Sequence, residues 1–192
     1  NPLGYLKYTY TASEIQPDML NADITKTTDS PSWGGLYLQY FEKFDQVQQQ
    51  KGILSVTKKL FIEKIGSDGK QELLPLGKEK LKTGDKVITR LTLSLKQDMD
   101  FLYLKDFRAA CFEPIGQLSG NQWKFGTVYY EESKDAVTNF FFNSLAKGTY
   151  VLEYPVWVNQ AGTYQDGIAT FQSMYAPEYT AYSEAGKITV TK

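Results

Sequence analysis

Lys147 to Lys192 reads KGTYVLEYPVWVNQAGTYQDGIATFQSMYAPEYTAYSEAGKITVTK, and this stretch decides the fold class. Gly148-Thr149 turns the chain into an extended run, Tyr150 to Val158. Asn159 to Gly167 is rich in turn residues and reads as a loop. Ile168 to Tyr175 is a second extended run, and Pro177 ends it, because proline cannot donate to a ladder. Gly186 leads into a last strand, Ile188 to Thr191. Runs of this length, separated by Gly, Pro and Asn/Asp, are those of a β-sandwich.

Upstream the pattern repeats. Ile53 to Ile65 is strand-like, with Leu54, Val56, Leu60 and Ile62 in one phase. Lys58 interrupts that phase, which predicts an edge or a bend. Ser67 to Lys70 and Leu81 to Lys86 are turns. Between Val87 and Lys96 the two faces separate cleanly: Val87, Thr89, Leu91, Leu93 and Leu95 point one way, and polar residues mostly point the other. Gln97 to Asp100 is a turn, and Phe101 to Lys105 a strand. Asp106 to Gly126 is a long connection with a short strand in it. Val128 to Glu131 and Val137 to Phe142 form a hairpin, with Phe140 and Phe142 on one face. No window shows a capped helix of 3.6 periodicity. The chain is therefore all-β, an antiparallel sandwich of immunoglobulin-like architecture.

Residues 1–50 differ. Tyr5 to Thr11, Ala22 to Thr28 and Gly34 to Phe44 read as strands, and Asp45 to Gly52 as a polar linker. Three strands are too few for an independent core. They are expected to pair as an incomplete sheet belonging to a larger β-domain, with residues 51–192 forming the main sandwich.

Composition bounds the function. The 192 residues hold room for one sizeable domain or a domain plus an appendage. An apolar content of 42% and a charged content of 22% are those of a water-soluble globule. The formal net charge of −1 points to no nucleic-acid partner and no anionic membrane surface. No apolar run approaches a membrane span. No charged-then-apolar leader is visible, so the expectation is either no export or an export signal outside this segment. Histidine is absent, and Cys111 is the single cysteine. Ser-His-Asp and Cys-His catalysis are thus impossible, as is a disulfide within the chain. No cofactor and no metal cluster are expected.

Three groups remain as candidates. Glu131-Glu132 and Asp98/Asp100 are carboxylate pairs. Strand neighbours face opposite ways, however, and Asp98 and Asp100 read as turn formers or a weak calcium loop. Trp33, Trp123 and Trp157 could stack on sugars or simply pack. Met174-Tyr175 ends a strand just before Ala176-Pro177.

The order of motifs resembles bacterial alpha-2-macroglobulins of the Bacteroides type. The likeness is carried by the GTY strand at Gly148, Thr149 and Tyr150 and the Met174-Tyr175-Ala176-Pro177-Glu178-Tyr179 segment. Gly35 to Glu42, Leu81 to Val87, Lys105 to Pro114 and Lys134 to Phe142 agree with it. The resemblance implies a terminal macroglobulin-like domain at 51–192. Residues 1–50 would be the closing strands of the β-domain that follows the thioester domain. It further implies a cell-envelope protein that traps proteases after they cleave a bait segment. The family's thioester joins a Cys to a Gln three residues on. Here Cys111-Phe112-Glu113-Pro114 has Pro at the Gln position, so no such bond forms. Met174 and Tyr175 correspond to a segment that resembles a plug over the thioester of a neighbouring domain; ordinary strand-end packing is the competing reading. Alternation predicts that one of the two is core, together with Phe171 if it is Tyr175, and that the other lies at the rim. The alternative function is a carbohydrate-binding or adhesion sandwich on a cell-surface protein.

Overall fold

The computed structural model describes residues 4, 6–27, 29–43, 46–77, 80–116, 118–124 and 126–192. The chain divides into two units, Asn1–Tyr40 and Phe41–Lys192. In the first, the described residues carry one 3-10 turn, Pro17–Leu20, opened by Pro17 in its first turn. Glu14 closes a second turn by accepting from the Thr11 amide (2.7 Å) and hydroxyl (2.6 Å).

The three strands expected before residue 45 do not form among the described residues, whose backbone there joins no ladder. Positions 5, 28 and 44 of those runs lie outside the described residues. The physical reason is the one that made the segment suspect. An extended run gains its ladder only from a partner edge, and an isolated two- or three-stranded piece is marginal in water. Leu6, Tyr8, Tyr10, Leu36, Leu38 and Tyr40 accordingly stay exposed.

The second unit is a sandwich, with fourteen strands in three sheets among the described residues. The first sheet has the order β2-β1-β4-β10-β6, built from β1 (Leu54–Ile65), β2 (Gln71–Pro75), β4 (Lys86–Leu95), β6 (Phe112–Pro114) and β10 (Gly148–Val158). The second has the order β13-β12-β5-β9-β8-β7. Its strands are β5 (Met99–Phe107), β7 (Gly120–Lys124), β8 (Thr127–Ser133), β9 (Val137–Leu145), β12 (Ala169–Ser173) and β13 (Thr180–Tyr182). A small third sheet joins β11 (Gly162–Asp166), β14 (Gly186–Thr191) and β3 (Leu81–Lys82). Among the described residues the strand pairings are antiparallel except β14 with β3.

Alternation decides what is inside. From β4, Val87, Thr89, Leu91, Leu93 and Leu95 are buried, as expected. They meet Leu102, Leu104, Phe140, Phe142 and Phe171 of the second sheet in one core. Each fully buried Leu or Phe contributes about 1.5–3 kcal/mol over leaving it exposed, so this double row dominates the stability of the unit. Cys111 lies in the same core.

Three readings need correction. The segment 159–167, expected as a loop, contains β11, which pairs with β14 from Gly162↔Val190 to Asp166↔Gly186. Its polar sequence is that of a half-exposed strand, not of a connection. The polar stretch before β1 is not a free linker throughout. Gln50 bridges Tyr182, and the Gln49 side-chain amide donates to the Val56 carbonyl at 2.8 Å. Lys58 is the third. β2 covers only Phe61–Ile65 of β1, so Lys58 does lie where β1 has β4 on one side alone. Its side chain is nevertheless buried, 2% exposed.

Candidate functional site

Two places gather chemistry: a buried ionic centre and an exposed tip. Lys58 keeps the inward phase of β1, so its stem enters the core. Its Nζ lies 2.9 Å from Asp106 Oδ1 on β5 and 2.9 Å from Asp166 Oδ1 on β11. It also donates to the backbone carbonyls of Phe107 (2.7 Å) and Gly167 (2.8 Å). One ammonium thus ties all three sheets together. Gly167 makes the cradle possible, since a Cβ there would stand 2.2 Å from the Phe107 carbonyl oxygen. The Tyr154 hydroxyl donates to Asp106 Oδ2 from the first sheet. Beside this centre Arg108, also buried, donates to the Thr138 hydroxyl and to the carbonyls of Lys134 and Asp135.

Burial alone would push Lys58 down, but the two carboxylates outweigh it and hold the ammonium above its ordinary value. Burial pushes Asp106 and Asp166 up, opposed by Lys58. Burial and the Asp106 charge push Tyr154 well above 10.0. The arrangement is that of a buried ion network, with Lys58 charged, hydrogen-bonded to two carbonyls and ion-paired with two carboxylates. Such a network specifies how sheets dock, and breaking one member is costly.

The tip lies at the end of β12. Ala169, Phe171 and Ser173 of this strand are buried, which sets the outward phase at Thr170, Gln172 and Met174. The strand stops at Ser173, whose hydroxyl accepts from the Ala176 amide at 3.2 Å. The Met174 amide still donates to the Phe101 carbonyl at 2.9 Å. Tyr175 has by then left the strand. Met174 is 49% exposed and Tyr175 78%. The expectation that one member of this pair is core is therefore overturned: both are outside. Phase arithmetic ran two residues past the true strand end, where the Ser173–Ala176 turn replaces the pleat.

Sequence reasoning missed a third member. Phe101 of β5 presents its ring to Tyr175, centroids 5.3 Å apart and planes at 87°, an edge-to-face pair. It is 48% exposed and takes φ 52, the one positive φ of a non-glycine residue among the described residues. A left-handed phenylalanine has no sequence signature beyond the turn-rich Gln97 to Asp100 before it.

The remaining candidates separate. Asp98 Oδ1 accepts the Lys147 amide at 2.7 Å, the work of a turn former. Glu132 accepts from Asn139 Nδ2 at 2.7 Å and pairs with Lys134, and these bonds lower its pKa, whereas burial raises Glu131. The two carboxyls thus live in different environments, as strand neighbours should. Trp123 on β7 and Trp157 on β10 belong to different sheets, so they do not form one stacking platform; Trp33 is exposed in the first unit. Cys111 is buried and free, its thiol pushed up to about 11 by burial, which leaves it unreactive near neutrality. Among the described residues no group of three or more His, Cys, Asp or Glu is placed to hold a metal ion. No helix among them is long and apolar enough to cross a membrane.

A model of the bacterial alpha-2-macroglobulin MG10 domain matches residues 54–178, from the first residue of β1 to just beyond the tip. The chain belongs to the bacterial alpha-2-macroglobulin family. Its sandwich is a macroglobulin-like domain, and the resemblance read from the sequence is confirmed. No curated protein matches the sequence. Among solved structures, Salmonella alpha-2-macroglobulin reacted with methylamine aligns over 76% of this chain with 20% identity and a TM-score of 0.58. Trypsin-activated alpha-2-macroglobulin from Escherichia coli aligns over 76% with 17% identity and a TM-score of 0.58. The native Escherichia coli protein from domain MG7 to the C-terminus aligns over 75% with 18% identity and a TM-score of 0.55. At these identities the likeness is one of fold. The matched region amounts to 10%, 11% and 24% of those chains respectively.

Proposed function

We propose that this chain is a non-catalytic docking module of a protease-trapping alpha-2-macroglobulin in a bacterial cell envelope. Its exposed Met174 and Tyr175 pack onto the thioester domain of the same parent protein and keep water and small amines from the thioester. The single observation behind this reading is the tip itself. The sandwich offers Met174 and Tyr175 to solvent while its polar Lys58 centre is sealed inside. Exposing an apolar pair that burial would stabilise by about 1.5–3 kcal/mol per side chain suits a surface that is covered in the assembled protein.

Residues 1–50 fit the same reading as strands of the preceding β-domain, completed by neighbours from the parent. The exposed Tyr8, Tyr10, Leu36, Leu38 and Tyr40, on runs that join no ladder among the described residues, call for such a cover. The chain supplies no general base of the histidine kind, so bond-making chemistry is assigned to other domains and the target proteases to the assembled trap.

The test is made in the intact parent. Tyr175→Ala and Met174→Ala should leave the fold unchanged and speed inactivation by methylamine. Wild-type resistance in both variants sinks the shielding role and leaves a plain structural module.

A further inference from the structure

The tip contains one residue that neither strand pattern nor family likeness singles out. Phe101 sits within β5 yet takes φ 52, a conformation that L side chains other than Asn and Asp adopt reluctantly. Its neighbours Asp100 and Leu102 are in regular register with Ser144 and Phe142 of β9, whereas Phe101 itself makes no ladder pair there. The unusual backbone has two visible results. The Phe101 carbonyl receives the Met174 amide at 2.9 Å, and the Phe101 ring meets Tyr175 edge to face at 5.3 Å. A glycine at this position would relieve the backbone at once, and a polar residue would suit its half-exposed site. Strain held at an exposed apolar side chain is the pattern of a positioning device.

From this geometry we infer that Phe101 is a positioning residue for Tyr175. It fixes the height and tilt of the tyrosine ring at the tip, so that the ring meets its partner surface preorganised. This rests on the shielding role proposed above. Without Phe101, Tyr175 sits in a turn whose backbone is held by the Ala176 amide on the Ser173 hydroxyl, the Ser173 amide on the Tyr179 carbonyl and the Tyr179 amide on the Ala176 carbonyl, bonds that set the main chain but not the tilt of the ring. Phe101 touches neither the thioester nor the amine; it acts through Tyr175.

The experiment uses the intact parent and follows thiol release on addition of methylamine, alongside Tm. Cys111 stays silent in this assay because it is buried. Four proteins are compared: wild type, Tyr175→Ala, Phe101→Gly and Phe101→Tyr. Phe101→Gly is expected to release thiol about 2- to 10-fold faster, the factor that one edge-to-face pair supports. It is also expected to leave Tm at the wild-type value, since glycine accepts the left-handed backbone. Phe101→Tyr should restore the wild-type rate. If Tyr175→Ala is fast and Phe101→Gly is not, the positioning role is overturned and shielding stands. If Tyr175→Ala behaves as wild type, or the wild type releases no thiol at all, shielding fails and the positioning role with it. A Tm that falls with Phe101→Gly marks a structural residue and overturns the inference.

Discussion

Lys58 and Tyr175 invert the usual placement of side chains, and they do so for opposite reasons. Lys58 is charged and sealed in the core, held by two carboxylates and two carbonyls from β5, β11 and the residue after β11. Tyr175 is aromatic and almost wholly outside, touching Phe101 at its edge. The first position is paid for by internal partners, so its effect ends within the domain. The second has few internal partners, and on the docking proposal its completion lies outside the domain. The comparison separates residues that build this module from residues that connect it.

The largest expected effect follows from breaking the buried centre. Lys58→Met leaves Asp106 and Asp166 without their cation and should lower stability by about 3–5 kcal/mol, read by denaturant unfolding at pH 7. The pH dependence has a definite sign. Burial already raises both carboxyls above the ordinary 3.8, and removing Lys58 raises them further. A raised acid contributes stability below its unfolded pKa and loses it as pH rises through its folded value. The deficit of Lys58→Met should therefore be smaller near pH 4 than at pH 7. An equal deficit at both would mean that the network is not the cause.

Tyr154→Phe should cost less, about 1–3 kcal/mol, because it removes one donor from a buried carboxylate. Its signature is alkaline. In the folded chain Tyr154 stays protonated well above 10.0, and Lys58 above 10.5. In the unfolded chain both release protons near those ordinary values, so stability falls as pH rises past about 10. The wild-type decline between pH 10 and 11 should be steeper than that of Tyr154→Phe, measured as Tm against pH. Parallel curves would place the alkaline loss elsewhere.

The smallest effect belongs to the tip. Tyr175→Ala should change the stability of the second unit by no more than about 1 kcal/mol, as an exposed site with one ring contact allows. A loss comparable to that of Lys58→Met would erase the distinction between the two regions.

Much of the sandwich was legible because inward and outward residues alternate with period two wherever one face is buried. Val87 to Leu95 and Phe140 to Phe142 read correctly for that reason. The same rule placed Lys58 in an apolar phase, but alternation carries no sign of the carboxylates on β5 and β11 that make a buried lysine tolerable. β11 was hidden because a strand at the rim needs few apolar residues. Tyr8, Tyr10, Leu36 and Leu38 alternate as well as any core strand and still find no partner edge, since pattern states a readiness to pair and not the presence of a mate. Met174 and Tyr175 were legible as a pair of interest. Their joint exposure was not, because strand ends are set by local hydrogen bonds such as that from the Ala176 amide to Ser173. Phe101 was invisible, since a positive φ outside glycine is imposed by tertiary structure.

The central claim is that the tip is open in this chain and covered in the assembled protein. Hydroxyl-radical footprinting reads it directly, because methionine and tyrosine side chains are oxidised in proportion to their access to solvent. The account predicts strong oxidation of Met174 and Tyr175 in the 192-residue chain and marked protection of both in the intact, uncleaved parent. Trp123, exposed on the outer edge strand of the second sheet, reports whether protection is confined to the tip. Equal oxidation of Met174 and Tyr175 in the two proteins would contradict the docking account.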